Sequence, residues 1–330
     1  MSKILYSTAL LLSLCFTART QPVIEWLGDY YNNGVWDAAI AGSYAYAACG
    51  EQGLRILNVS NLSSPMEAGA WDTPGFAHAV KVVGNYAYVA DMEGSGVRII
   101  DIITPGSPNE VSYCLTPGQC FSLEVVGDYL YVADGKKGLQ VVNIANPFYP
   151  YIAASLELDG DALGIGALSQ YAYVVSYLQG LQVVDISNPQ IPVKVGHCQW
   201  PDILGYYPRL SRNVALEGNY AYVADYGCGM RVVDISDPAN PVSVSYLNQG
   251  LSNVYDIAVV GNFAYLAQEF GGLKMVSIVN PLNPLVSTGF ITGPAVGITM
   301  QQDLALVCLV SKLSFFRIYT AGRDNIGGGK

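Results

Sequence analysis

"GNYAYVAD" occupies residues 84–91, and the same eight letters return at 218–225. Chance rarely repeats an octapeptide in one chain, and catalytic motifs seldom need two copies, so a structural repeat is the reading to test. Looser copies follow at once: "GSYAYAAC" at 42, "GDYLYVAD" at 127, "SQYAYVVS" at 169, "GNFAYLAQ" at 261 and a worn "QDLALVCL" at 302. The seven starts are spaced by 42, 43, 42, 49, 43 and 41 residues. Each copy is trailed by a second run, such as "GLRILNVS", "GLQVVDIS" or "GMRVVDIS", and six of the seven then carry a Pro-containing turn such as "NPQIP" or "DPANP".

One unit reads as four strands. A run such as "AVKVV" (79–83) or "DIAVV" (256–260) precedes the Gly-Asn pair. That pair is a tight hairpin turn, because its residues tolerate positive φ. "YAYVA" alternates large and small side chains with the period of a strand. A Gly-containing loop leads to the third strand, and the Pro turn breaks pairing before a fourth such as "PVKVGHC" (192–198). Four antiparallel strands repeated every 43 residues or so are the signature of a β-propeller blade, and seven units fill the chain. The expected fold is therefore all-β, a seven-bladed propeller over residues 21–320. After "SFFRIY" (314–319) no fourth strand remains, while "PVIEWLG" (22–28) resembles the fourth-strand runs. The N-terminal strand is thus expected to complete the last blade and remove its exposed edge.

The third-strand runs "LRILNV", "LQVVNI", "LQVVDI" and "MRVVDI", coupled to "GNYAYVAD", resemble LVIVD repeats, a bacterial and archaeal propeller-forming family. The resemblance covers nearly all of residues 21–320 and implies a secreted or cell-surface propeller. It implies no common reaction or ligand, so no functional residue is carried over from it. Unit seven departs most, lacking both the Gly turn and the closing Pro.

Composition agrees with a large apolar core: of 330 residues, 51% are hydrophobic and 13% charged, with 24 Tyr, 35 Gly and only 2 His. The mean hydropathy is +0.30. A net charge of −10 disfavours nucleic acid as a partner. Residues 1–20, with Lys3 ahead of the apolar run Ile4–Phe16 and small residues at Ala18 and Thr20, have the layout of a secretory signal peptide. Cys15 sits in a weak lipoprotein-like context, the alternative to a freely secreted chain. No transmembrane segment is expected once residues 1–20 are removed, and residues 321–330 read as a flexible tail. A monomer is expected.

Function is sought where the copies disagree. Five residues before each Gly position stand Asp37, Ala79, Ser122, Gly164, Asn213, Asp256 and Gly297; one step earlier stand Trp36, His78, Phe121, Leu163, Arg212, Tyr255 and Val296. In a closed ring these encircle one mouth of the central channel. Trp36, Asp37, His78, Arg212, Asn213, Tyr255 and Asp256 are the candidates there for holding a polar ligand or sugar, against the plainer role of satisfying backbone groups where strands begin. The 49-residue spacing places "HCQWPDILGYYPRLSRN" (197–213) in an inserted loop on the same face, where Trp200, Asp202, Tyr206, Tyr207 and Arg209 are further candidates. Replacing Trp200 and Tyr206 with Ala is expected to abolish binding without unfolding.

Asp91, Asp134 and Asp225 end second strands; Cys49, Ser176, Gln268 and Leu309 take that place elsewhere, which argues for turns rather than a metal ring. Asp159 and Asp161 in "LDGDA" also read as a turn before a calcium loop. Cys114 and Cys120 flank "LTPGQ", a spacing that suits a loop disulfide. No GxSxG, HExxH, Walker or EF-hand pattern occurs, so neither cofactor nor metal is expected. The expected function is a secreted or cell-surface module binding an extracellular protein or glycan. The alternative is a carbohydrate-active hydrolase or lyase using Asp37, Asp256 or Asp202 as acid–base groups.

Overall fold

A computed structural model describes residues 22–320, apart from 93, 95, 201–209, 291 and 292. Within them 28 strands form seven four-stranded antiparallel sheets. Residues 1–20 and 321–330, read above as signal peptide and tail, lie outside the described residues.

The blade containing residues 84–91 shows the local logic. Phe76–Val83 turns through Gly84 and Asn85 into Tyr86–Met92, which pairs with Gly96–Asp101 and then with Asn109–Cys114. Only the first turn residue takes positive φ: Gly84 has φ 58°, as Gly42, Gly127, Gly218 and Gly261 have φ 57–59°. That is the pattern of a hairpin turn with Gly at its first central position. In units four and seven Ser169 and Gln302 hold the same backbone at φ 56°, where a side chain is disfavoured.

The Pro turns are built from paired Asx turns. The oxygen of Asn58, Asp101, Asn143, Asp185 or Asp234, at the end of a third strand, accepts the N–H two residues on. Asn61, Asn146, Asn188 and Asp237 repeat the bond three residues later in four of these corners, and Asn280 makes it alone in the sixth blade. This local capping stops the third strand and fixes the corner. The corner then docks on the preceding blade. A Cβ on Gly69 would collide with the Pro105 carbonyl, and one on Gly196 with that of Pro238. At the matching position Ser112 donates to Pro147 O and Ser245 to Pro281 O.

The ring closes through the chain ends. Pro22–Tyr31 pairs antiparallel with Lys312–Thr320, as the fourth strand of the seventh blade. Gly28 meets the Leu62 carbonyl of the first blade's corner, as Gly69 meets Pro105, so the N-terminal strand occupies a true fourth-strand position. Asp29 ties the seam by accepting from Lys312 Nζ at 2.6 Å and Ser314 Oγ at 2.6 Å. The buried apolar residues fall into seven clusters, each drawn from two neighbouring blades, including the seventh with the first. The core is therefore a ring of inter-blade interfaces, and no blade buries its faces alone.

Candidate functional site

The first strands Asp37–Ala41, Phe76–Val83, Ser122–Val126, Ala162–Leu168, Leu210–Glu217, Val254–Val260 and Ala295–Gln301 line the axis. In five of them the register slips by one residue at the entry, between 77/79, 162/164, 211/213, 254/256 and 295/297. Each slip leaves one unpaired residue (His78, Leu163, Arg212, Tyr255 or Val296), and a bulge of this kind re-aims a side chain. Trp36 and Phe121 hold the same place just ahead of their strands, their amides bonded to Ala48 O and Ala133 O. All seven line a cavity of about 290 Å³ at the mouth of the channel.

The mouth has two unlike walls. Over the first three blades the Trp36 and His78 rings stack at 5.5 Å, Phe76 meets Trp36 edge-on at 5.4 Å, and Phe121 meets His78 edge-on at 5.7 Å. His78 Nδ1 lies 2.7 Å from Phe121 O; a carbonyl only accepts, so Nδ1 carries the proton. Burial drops the imidazole to about 4, with the charge on Arg212 acting in the same direction and the bond to Phe121 opposing. His78 is therefore neutral near pH 7, with Nε2 an acceptor. Across the opening, the Arg212 guanidinium lies 5.4 Å from the Tyr226 ring and 5.3 Å from the Tyr255 ring.

Below the mouth, carboxylates bind the blades to each other. Asp37 accepts the N–H of Ala38 and, across the interface, that of Val80 at 2.9 Å. Asp256 accepts from Ile257 N and Asn213 Nδ2, and its other oxygen takes the N–H of Ile298 at 2.7 Å. Burial raises both acids, Asp37 to about 6 with the Asp256 charge adding to it. One layer deeper Lys81 pairs with Glu124 at 3.0 Å. Desolvation opposes the charged ammonium, yet Glu124, Asp37 and Asp256 hold its pKa above the usual lysine value. With both oxygens engaged by backbone amides, Asp37 and Asp256 serve as struts.

The structure thus gathers Trp36, Asp37, His78, Arg212, Asn213, Tyr255 and Asp256 around one cavity. Trp200 requires correction: it is 1% exposed, in the core between the fourth and fifth blades, with the Arg231 guanidinium 4.8 Å from its ring centroid. Its removal would open a core cavity, so the expected Trp200 and Tyr206 variant is no clean test of binding. Asp202, Tyr206, Tyr207 and Arg209 lie outside the described residues. Cys114 and Cys120 are also corrected: both are buried free thiols in one inter-blade core, Cys120 bonded to Thr116 and Asp134 instead.

Asp91 and Asp134 hold the loops that enter their blades, accepting from Thr73 and Gly75 and from Thr116 and Gly118. Asp225 is paired with Arg231. Asp159 makes an exposed ion pair with Lys194 at 2.5 Å. Lys81, Glu124, Phe76 and Tyr226 were missed by the sequence reading. Comparing copies three residues before the Gly position, where Lys81 and Glu124 stand among Ala, Gly and Thr, would have found the first two.

The LVIVD-repeat family model matches six segments, 34–73, 74–116, 117–157, 159–199, 208–248 and 252–292. The chain belongs to the LVIVD-repeat family. The LVIVD repeats cover six blades, and the seventh, which lacks the Gly turn and borrows its fourth strand from the N-terminus, is unmatched. The crystal structure of the computationally designed Ika8 protein is similar, with TM-score 0.62 at 9% identity over 89% of this chain and 99% of that one. That likeness is one of fold. Among curated proteins none matches the chain. A propeller of LVIVD repeats is a scaffold for binding and interaction, since architecture of this kind hosts unrelated functions on its faces.

Proposed function

We propose that this propeller is a secreted or cell-surface module that binds a saccharide in the mouth of its central channel. The observation that carries the reading is the set of entry residues. Where the seven copies disagree, the chain sets Trp36, His78, Phe121, Arg212 and Tyr255 around one concave opening. Flat rings stack on the apolar faces of sugars, and His78 Nε2 supplies an acceptor for a hydroxyl. A cavity of about 290 Å³ is at the small end for ligand sites and fits a sugar-sized ligand better than a protein surface. Export is supported by the pattern of residues 1–20. Among the described residues no helix is long and apolar enough to cross a membrane. A hydrolase or lyase reading through Asp37 and Asp256 is disfavoured because their oxygens are already bonded to backbone amides, and Asp202, the third acid of that reading, lies outside the described residues.

Isothermal titration of the full chain against neutral and acidic mono- and oligosaccharides tests this. Trp36→Ala combined with Tyr255→Ala should weaken binding about tenfold or more, as two lost ring contacts imply. Its melting temperature should stay close to the parent's, since both rings are part-exposed. No binding by the parent chain, or equal binding by the variant, would refute the mouth as the site.

A further inference from the structure

Five arginines lie among the described residues. Arg55 pairs with Asp72, Arg98 with Asp91 and Glu110, Arg231 with Asp225, and Arg317 with Asp303. Arg212 alone has no carboxylate of the described residues within ion-pair distance, although it lines the cavity. Its Nε is buried without a hydrogen-bond partner among the described residues. A buried donor left unmade is costly, and a guanidinium fork is matched best by a planar oxyanion. The Tyr226 and Tyr255 rings, edge-to-face at 5.2 Å, flank the guanidinium and limit its swing. Tyr226 is itself held by Glu269, which Asn253 fixes at 2.6 Å. The group is positioned in advance, and no carboxylate of the described residues meets it.

Resting on the saccharide reading above, we propose that the ligand of this mouth is an acidic sugar whose single carboxylate seats on Arg212. The opposite wall fits the rest of such a molecule. The stacked Trp36 and His78 rings offer a flat apolar face, and His78 Nε2 has no partner among the described residues and can accept a hydroxyl proton. Other acids of the cavity are occupied: Asp37 and Asp256 by backbone amides, Glu124 by Lys81. Their negative charge, beneath the mouth of a chain carrying −10 overall, favours a monoanion over phosphate or sulfated polymers.

The test uses D-galacturonate, D-galactose and inorganic phosphate as probes in calorimetric titrations of the full chain. Galacturonate should bind about tenfold to a hundredfold more tightly than galactose, the range expected for a charge-assisted hydrogen bond. Arg212→Gln should abolish the preference, so that the variant binds galacturonate no more tightly than it binds galactose. Arg212→Lys, which keeps the charge and loses the fork, should fall between them and guards against a folding defect in the first variant. Equal binding of the two sugars by the parent chain, or a preference that survives Arg212→Gln, overturns the proposal and leaves the saccharide reading standing. Phosphate displacing galacturonate at equal concentration also overturns it, in favour of a general oxyanion site. Absence of all sugar binding removes both readings.

Discussion

Asp37 and Asp29 show two opposite uses of a carboxylate in one ring. Asp37 spans the first two blades by accepting the Val80 amide, and burial raises it from the ordinary 3.8 to about 6. Its folded form holds a proton more tightly than the unfolded chain does. The stability this contributes is full below about pH 4 and is lost as pH rises through about 6. Burial pushes Asp29 up as well, yet bonds from Lys312, Ser314 and Trp26 outweigh that and leave it lowered. Its contribution is present above pH 3.8 and is lost as pH falls through the lowered value. Melting temperatures measured from pH 3 to 8 should therefore separate the two. The difference between the parent chain and Asp37→Asn should shift against the parent between pH 4 and 6. The difference from Asp29→Asn should shift against the parent only on acidification below about pH 4. Parallel curves for either variant would contradict the assigned roles. From the sequence these two acids look alike, as an Asp near a strand. Only the identity of the partners, an amide of the next blade or a lysine 283 residues away, separates them.

At the scale of the element, the hairpin "GNYAYVAD" was fully legible, because Gly at the turn and alternation in the strand are local properties. Two turns break the rule in a way that can be tested. Ser169 and Gln302 hold φ 56°, and the equivalent glycines have nothing within 4 Å of a built Cβ, so the penalty is one of backbone conformation alone. Ser169→Gly and Gln302→Gly should each raise stability by about 0.5–1 kcal/mol, read from urea midpoints. A loss of stability in both would show that the side chains are needed there. The entry bulges were not legible. One extra residue leaves no mark on composition, so counting back from Gly located His78, Arg212 and Tyr255 at the mouth without revealing why their side chains enter it. Trp200 failed for the converse reason. Its neighbourhood reads as an insertion, yet it follows directly on the strand Val193–Cys198 and is drawn into the core beside it.

For the whole molecule, ring closure could be read from an orphan strand at the N-terminus and a three-stranded unit at the C-terminus, since a four-stranded unit missing one strand needs it from elsewhere. The structure adds the physical seam: Gly28 against Leu62, Asp29 with Lys312, and an apolar cluster joining the seventh blade to the first. Ligand chemistry was only partly legible, because it depends on which side chains of different copies converge, and convergence is a property of the closed ring. Trp36 and His78 are 42 residues apart, yet their rings stack.

The most direct test of this convergence is backbone hydrogen exchange of the full chain with and without saturating D-galacturonate. Amides at the entries to the first, second, third, fifth and sixth blades, near Trp36, His78, Phe121, Arg212 and Tyr255, should exchange more slowly with the sugar bound. Those of the outer strands Asn109–Cys114 and Val242–Leu247 should not change. Protection confined to the outer strands, or no change anywhere, would contradict a binding site at the mouth of the channel.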